Sequence, residues 1–403
     1  MQSLQRTSEA NPSSTAIGDG PWHATDGLQV CKFHISARAI TSLCLLTLCA
    51  TLVAGLWPFC SPSNSVTWIK GENGIRFGEH GTALSAGTSQ VNNVDAPACS
   101  VEIWVQPAKI WRKGTILVFY NPQNGRQFAI EQDFTDLLLH IGNTRHYAPD
   151  RQREVRVENV FRGKDPFITV ASDGQQALVY VDGQLAATAP TFALSGKDLA
   201  GQLILANGLF RDHSWRGELK GLAVYGAQFT RSQIQQHYQS WTQRREPFVD
   251  KSESPLAAYR FAERSGSIIH NAVPSGADVT VPKRFLVVNQ LRFESPVTEL
   301  YAEGSYLKNA GINVAGFVPL GFVLALYLAK VRNLRQTTFV TALIGGSVSV
   351  AIEYFQSYLP TRYSGVTDIV TNTAGAWLGA MLYSRLATIA NKYGAEHSSV
   401  QPR

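Results

Sequence analysis

Apolar residues gather in four long runs, one near the start of the chain and three near its end, with a polar body between them. The first run, 40–57, holds 18 residues and no charge. The others are 310–329, 337–359 and 368–389. At 1.5 Å per residue, about 20 apolar residues cross the ~30 Å hydrocarbon core of a bilayer. The pattern predicts four transmembrane helices, over 37–58, 310–329, 337–359 and 368–389. The polar leader before the first run is longer than 35 residues. Trp57-Pro58-Phe59-Cys60 offers neither the small residues of a cleavage site nor a lipobox, so the run reads as a retained anchor rather than a signal peptide.

Between the anchor and the last three runs the period changes from helical to strand-like. SVEIWVQP, TILVFYN, RQFAIEQ and DLLLHIG are short stretches rich in β-branched and aromatic residues. Two further strands follow around Asp173-Gly174, then a hairpin at Asp182-Gly183, where Asp-Gly favours a tight turn. Many short strands at regular spacing predict an all-β sandwich of two sheets over 65–245. In both Asp-Gly pairs the aspartate reads as a turn residue rather than a calcium ligand. Residues 251–300 are too few for a second sandwich and read as an added β segment. His270 within it reads as structural.

Charge fixes an expected orientation. Arg6, Lys32 and Arg38 precede the first run, Lys330, Arg332 and Arg335 join the second and third, and Lys392 and Arg403 lie in the 390–403 tail. The turn between the third and fourth runs carries only Arg362. By the positive-inside rule both termini are cytoplasmic, and the β domain and the 360–367 turn face outward. The net charge of +6 comes with no basic patch interleaved with aromatics, so no nucleic-acid partner is expected. None of the five cysteines forms a CxxC pair, so a zinc or thioredoxin-like site lacks its spacing. No resident metal or cofactor is assigned. Cys60 and Cys99 both fall outside the membrane in this reading, where a disulfide is permitted; their pairing stays open. The leader, 1–36, is polar and reads as disordered.

IWVQP, ITVASDGQQALVYVDGQL and WRGELKGLAVYGAQFTRSQIQQHYQSW resemble a concanavalin A-like, laminin-G-type jelly roll over about 180 residues. The resemblance implies two antiparallel sheets used for binding glycans or proteins. Trp111, Tyr120, Trp215 and Tyr225 are the candidates for stacking on sugar rings. Glycosidases of this fold carry an alternating E-x-D-x-E strand, and none occurs here. Glu102 and Glu218 read as isolated, which argues against glycoside hydrolysis.

The last three runs carry polar residues at helical spacing. Glu353 and Gln356 share a face of one helix; Asp368, Asn372, Gly375 and Gly379 share a face of the next. Asn309 and Asn313 open the second run. Ionisable groups inside a membrane usually face the bundle interior or a water-filled cavity. NVAGFVPLGFVLALYL and IEYFQSYLPTRYSGVTDIVTNTAGAWLG resemble the VanZ-like family. The shared pattern is N-x-x-x-F-x-P-x-G at Asn313, Phe317, Pro319 and Gly321, then Glu353, Gln356, Arg362, Asp368, Asn372 and Gly375. Where the family often has a further acidic residue, this chain has Ser364-Gly365-Val366-Thr367, which leaves two membrane carboxylates. The resemblance implies an association with glycopeptide resistance, chiefly to teicoplanin.

The expected protein is therefore a multi-pass protein of a bacterial inner membrane, with membrane lipid and a glycan or lipid-linked wall precursor as partners. Its polar cluster is Asn313, Glu353, Gln356, Arg362, Asp368 and Asn372. Two alternatives stand beside this: an outer-leaflet enzyme using Glu353 and Asp368 as acid and base, and an adhesion or scaffold protein whose helices only anchor the sandwich. The cluster itself also reads as a site for a hard cation such as Mg2+, or as a network in which Arg362 and Asn372 neutralise and hydrogen-bond the carboxylates and only lock the helices.

Overall fold

A computed structural model of the chain describes residues 36–85, 96–143, 154–163, 165–210, 213–244, 251–296 and 306–398. The leader and the last residues of the tail, with Cys31 and Arg403, lie outside the described residues. Two antiparallel sheets face each other. One runs Val66–Trp68 (β1), Ile75–Phe77 (β2), Gly217–Tyr225 (β13), Cys99–Pro107 (β4), Phe167–Ser172 (β9), Ala177–Val181 (β10) and Gln184–Ala189 (β11). The other runs Ile268–Ile269 (β15), Val279–Thr280 (β16), Ala83–Ser85 (β3), Gln202–Leu205 (β12), Lys113–Tyr120 (β5), Arg126–Asp133 (β6), Asp136–Asn143 (β7) and Glu154–Val157 (β8). This is the expected all-β sandwich.

The two-residue period of a strand sends alternate side chains to opposite faces. In β4 it puts Cys99, Val101, Ile103 and Val105 into the core between the sheets. Ser100, Glu102 and Trp104 point the other way, toward the helix Arg231–Gln239 (α2) and the turn after it. Cys99 is buried while Cys60 is exposed, and both are free thiols, so the permitted disulfide is not formed. Asp173 and Asp182 are turn residues: Asp173 Oδ1 accepts the N–H of Gln175 and of Gln176, and Asp182 takes a left-handed φ of 52°.

Residues 251–296 are built into the sandwich rather than appended to it. β2 pairs only with Gly217–Leu219 of β13, which leaves the far half of that edge open. Pro255–Tyr259 (β14) fills it from Leu222 to Tyr225, satisfying an otherwise unpaired edge. β16 extends the opposite sheet at β3. His270 is exposed and paired with Asp278 at 3.1 Å, a surface structural role.

Glu102 is not isolated. It is fully buried beneath α2, where His237 Nδ1 lies 3.1 Å from its Oε2 and Trp241 Nε1 donates to it at 3.2 Å. His237 Nε2 lies 3.0 Å from Glu253 Oε2. Glu218 pairs with Arg76 at 2.6 Å. The sequence hid the Glu102–His237–Glu253 contact because its members stand far apart in the chain.

The remaining helices form a bundle: Ala37–Leu56 (α1), Tyr306–Lys330 (α3), Thr337–Gln356 (α4) and Val366–Ser398 (α5). By length and composition α1, residues 307–330 of α3, and α4 can cross a membrane. The fourth expected span is not among these. Thr, Asn and Ser dilute the apolar stretch of α5, which also carries Asp368 and Arg385 and runs past 389 into the expected tail. It still packs along α3. Glycines make the close approach possible: a Cβ at Gly375 or Gly379 would run into the carbonyls of Val314 and Val318, and one at Gly321 into Ala376. α1 belongs to the same bundle, with Leu48, Leu52 and Leu56 against Phe317, Leu320 and Ile352.

Two outcomes follow. Gly379→Val forces α3 and α5 apart, and at the usual overpacking cost of about 1–3 kcal/mol it should lower the unfolding midpoint of the detergent-solubilised chain. An unchanged midpoint would refute the close crossing. The second concerns His237. Burial disfavours its cation, but the hydrogen bond and charge of Glu102 and the charge of Glu253 outweigh this, so its pKa is raised. The stabilisation is full below the unfolded value of about 6.5 and fades as pH rises through the raised native value. The wild type should therefore exceed His237→Gln in unfolding midpoint most at about pH 6, with the gap shrinking by about pH 9. A gap that widens with pH contradicts the charged contact.

Candidate functional site

At the end of the bundle where α1 stops and α5 begins lies a cavity of about 560 Å³. Each polar residue singled out in the sequence lines it: Asn313, Glu353, Gln356, Arg362, Asp368 and Asn372. Helical spacing accounts for much of this. Glu353 and Gln356 fall on one face at the last turn of α4 and are both buried. Asp368 and Asn372 fall on one face of the first turns of α5. Gly375, on the same face, continues it as the contact with α3.

The local chemistry starts at the α4–α5 turn. Glu353 Oε2 accepts the amide N–H of Gly365 at 3.0 Å, just before α5 begins. Unpaired amides and the aligned dipole make a helix N-terminus a favourable place for negative charge. Asp368 lies in the first turn of the same helix, and Asn313 Nδ2 donates to its Oδ1 at 2.6 Å. Gln356 Nε2 donates to the carbonyl of Gly55 at 2.6 Å, tying α4 to α1. Arg362 Nε donates to the carbonyl of Trp57 at 3.0 Å, and Nη2 of the same side chain donates there too. Asn372 Nδ2 donates to Ser349 Oγ at 2.9 Å. Ser349 lies four residues before Glu353, so it was legible from helical spacing although not singled out.

Glu294 was missed. It is 8 % exposed and lines the same cavity. Its backbone pairs in parallel with Gly365, with Glu294 N–H donating to Ser364 O at 2.9 Å and Val366 N–H donating to Glu294 O at 3.0 Å. The pairing joins residues 71 positions apart, and no local pattern announces it. The cavity therefore has three carboxylates where two were expected. Among the described residues no three of His, Cys, Asp or Glu are placed to hold a metal ion.

Glu294 ends a strap that runs from the sandwich to the bundle. Asn207 Nδ2 donates to Leu286 O at 3.1 Å, Asn289 N–H donates to Leu209 O at 2.9 Å, and the Arg292 guanidinium stacks 4.9 Å from the Tyr358 ring. The sandwich and the open cavity thus share one end of the bundle.

On the sandwich, three of the four aromatic candidates are withdrawn from sugar stacking. Trp215 is 1 % exposed, with Nε1 donating to Gln132 Oε1 at 2.8 Å, and Tyr225 is fully buried beneath α2. Tyr120 lies under the strap, its hydroxyl accepting from Asn289 Nδ2 at 3.3 Å. Each is a large ring that fills a core, and alternation along a strand does not tell which face is covered. Trp111 is 70 % exposed in the turn between β4 and β5. Its neighbours Arg112 and Lys113 line a hollow of about 350 Å³ with Glu131, His213 and Arg216. Trp111→Ala should change stability by no more than about 0.5 kcal/mol, as at an ordinary surface position. Trp215→Ala should cost about 3–5 kcal/mol. Denaturant unfolding of both variants checks the assignment, and a stability loss at Trp111 would overturn it.

Residues 261–388 match the VanZ/LLP1 family, and residues 78–235 match the concanavalin A-like lectin/glucanases superfamily. No curated protein matches the chain. Among solved structures, the chain is similar to a native heptameric SAP-like pentraxin from Limulus polyphemus at 15% identity and a TM-score of 0.32, covering 55% of this chain and 93% of that one. It is also similar to the binding domain of Botulinum neurotoxin DC in complex with rat synaptotagmin II, at 12% identity and a TM-score of 0.33, covering 45% of this chain and 46% of that one. The chain thus spans less than half the length of that structure. It is a membrane protein that joins a segment matching VanZ/LLP1, which takes in the last β strands and the strap as well as the last three helices, to a segment matching the concanavalin A-like lectin/glucanases superfamily.

Proposed function

We propose that the protein acts at the outer face of a bacterial inner membrane, where its sandwich holds a glycan or wall component and its helix-bundle cavity takes part of a lipid-linked wall precursor. The observation that carries this reading is the convergence of Asn313, Glu353, Gln356, Arg362, Asp368 and Asn372 on one cavity. A polar cluster of this size, with Glu353, Gln356 and Asn372 buried, is costly inside a membrane. Packing alone would be served as well by apolar residues. With α5 taken as the fourth crossing, the positive-inside rule puts both termini in the cytoplasm and the sandwich outside. The strap then sets sandwich and cavity on the same aqueous side. Trp111 is the surface aromatic that fits a sugar face.

A second reading, catalysis, draws on the fact that Glu353 and Asp368 line the same cavity. Two carboxyl groups in unlike surroundings can serve as general acid and base. In that case both neutral variants lose turnover while keeping their folded state.

The test is teicoplanin susceptibility of a sensitive host expressing wild type, Glu353→Gln or Asp368→Asn at matched membrane abundance. Protection by the wild type and its loss in both variants is the expected result. Full protection by Glu353→Gln would remove the cavity from the function. Cysteine labelling that places the sandwich in the cytoplasm would overturn the whole arrangement.

A further inference from the structure

The bundle cavity is rich in acceptors. Glu294, Glu353 and Asp368 line it, and Arg362 is the one cationic side chain among its described lining residues. An ionised carboxylate offers about four acceptor positions. The side-chain donors of Arg362, Gln356 and Asn313 are engaged by the protein itself, on the carbonyls of Trp57 and Gly55 and on Asp368, while the Thr361 hydroxyl oxygen is buried with no hydrogen-bond partner. Asn372 adds an independent sign. It is 5 % exposed, its Nδ2 is used on Ser349, and its Oδ1 is buried with no hydrogen-bond partner. A buried acceptor without a donor is rare and is explained when a ligand supplies one.

The chemistry of the missing ligand follows by matching. A phosphate or diphosphate brings more negative charge and only acceptors, which the carboxylates repel. A metal ion finds no set of three His, Cys, Asp or Glu ligands among the described residues. A primary ammonium brings one positive charge and three donors. We propose that the cavity binds a primary ammonium group, drawing on Glu353, Asp368 and the Asn372 amide oxygen. This rests on the cavity being the precursor site and specifies which part of the molecule enters: an amine, with any phosphate left outside. The amine has two sources, the aminoethyl head group of a phospholipid or the amino side chain of a wall-precursor peptide.

The experiment is native mass spectrometry of the full chain in detergent. It is titrated separately with phosphatidylethanolamine, phosphatidylcholine, N-acetyl-lysyl-D-alanyl-D-alanine, and that peptide with its lysine acetylated. At least one free amine should be retained about tenfold better than its capped counterpart, and Glu353→Gln and Asp368→Asn should each weaken it by about tenfold, as loss of one charged partner does. The lipid pair or the peptide pair then names the source. Asn372→Asp, which puts a carboxylate where the unpartnered oxygen stands, should strengthen retention. It keeps the test decisive if a neutral variant fails to fold. No preference for either amine, a preference that survives both neutral variants, or weaker retention by Asn372→Asp overturns the proposal. Teicoplanin protection without amine preference would refute this ligand class alone. Amine preference without protection would leave it standing and remove the resistance reading.

Discussion

The hydrogen bond from the Gly365 amide to the Glu353 carboxylate is the contact on which the arrangement of the two halves depends. A carboxylate at the buried end of a membrane helix is tolerated only with partners. The chain provides one by folding the α4–α5 turn back over it. The same turn then offers its backbone to Glu294, so a single short loop satisfies a buried charge and pairs with the strap from the sandwich. Arg362 on the Trp57 carbonyl and Gln290 on the Leu359 carbonyl hold the same turn to α1 and to the strap, so the loop is fixed from three sides.

That dependence explains which parts of the molecule were legible in advance. The sandwich was, because each strand carries its own two-residue alternation and each Asp-Gly turn its own conformational preference. The polar cavity was, because Glu353 with Gln356 and Asp368 with Asn372 are fixed on common faces by helical spacing alone. Glu294 was not, since it reaches the cavity through a parallel bridge to a residue 71 positions away. The Glu102–His237–Glu253 contact was hidden for the same reason: strand, helix and following turn had to be assembled first. Trp215, just before β13, and Tyr225, at its end, misled because an aromatic ring suits a sugar site and a core equally well, and only the covering helix or opposite sheet decides. α5 fell short of a transmembrane pattern because the residues that build the cavity and the close α3 crossing are polar or small.

The place of the sandwich in the chain follows from its ends. An inserted domain is tolerated where entry and exit lie close together. Here they are stitched: Arg284 Nη1 donates to Ser61 O at 2.6 Å, Asn64 Nδ2 donates to Pro282 O at 2.8 Å, and Ser63 bridges Arg284. The chain leaves α1 at Trp57, whose carbonyl is held by Arg362, and comes back to the same turn at Glu294. The insertion can therefore carry a large β domain without disturbing helix packing.

This stitching also constrains how the two halves can influence each other. A flexible linker would let the sandwich concentrate a glycan near the membrane but would transmit nothing to the cavity. A strap tied by backbone hydrogen bonds at Leu209, Ser364 and Val366 is different. It sets a cavity carboxylate, Glu294, at one end and covers the outer face of β5 and β12 at the other, where Val288 packs with Val118 and Ile204. Contact with both sites becomes coupling only where such an element has two arrangements that both sites bias. The strap is the segment of backbone that touches both the sandwich face and the cavity.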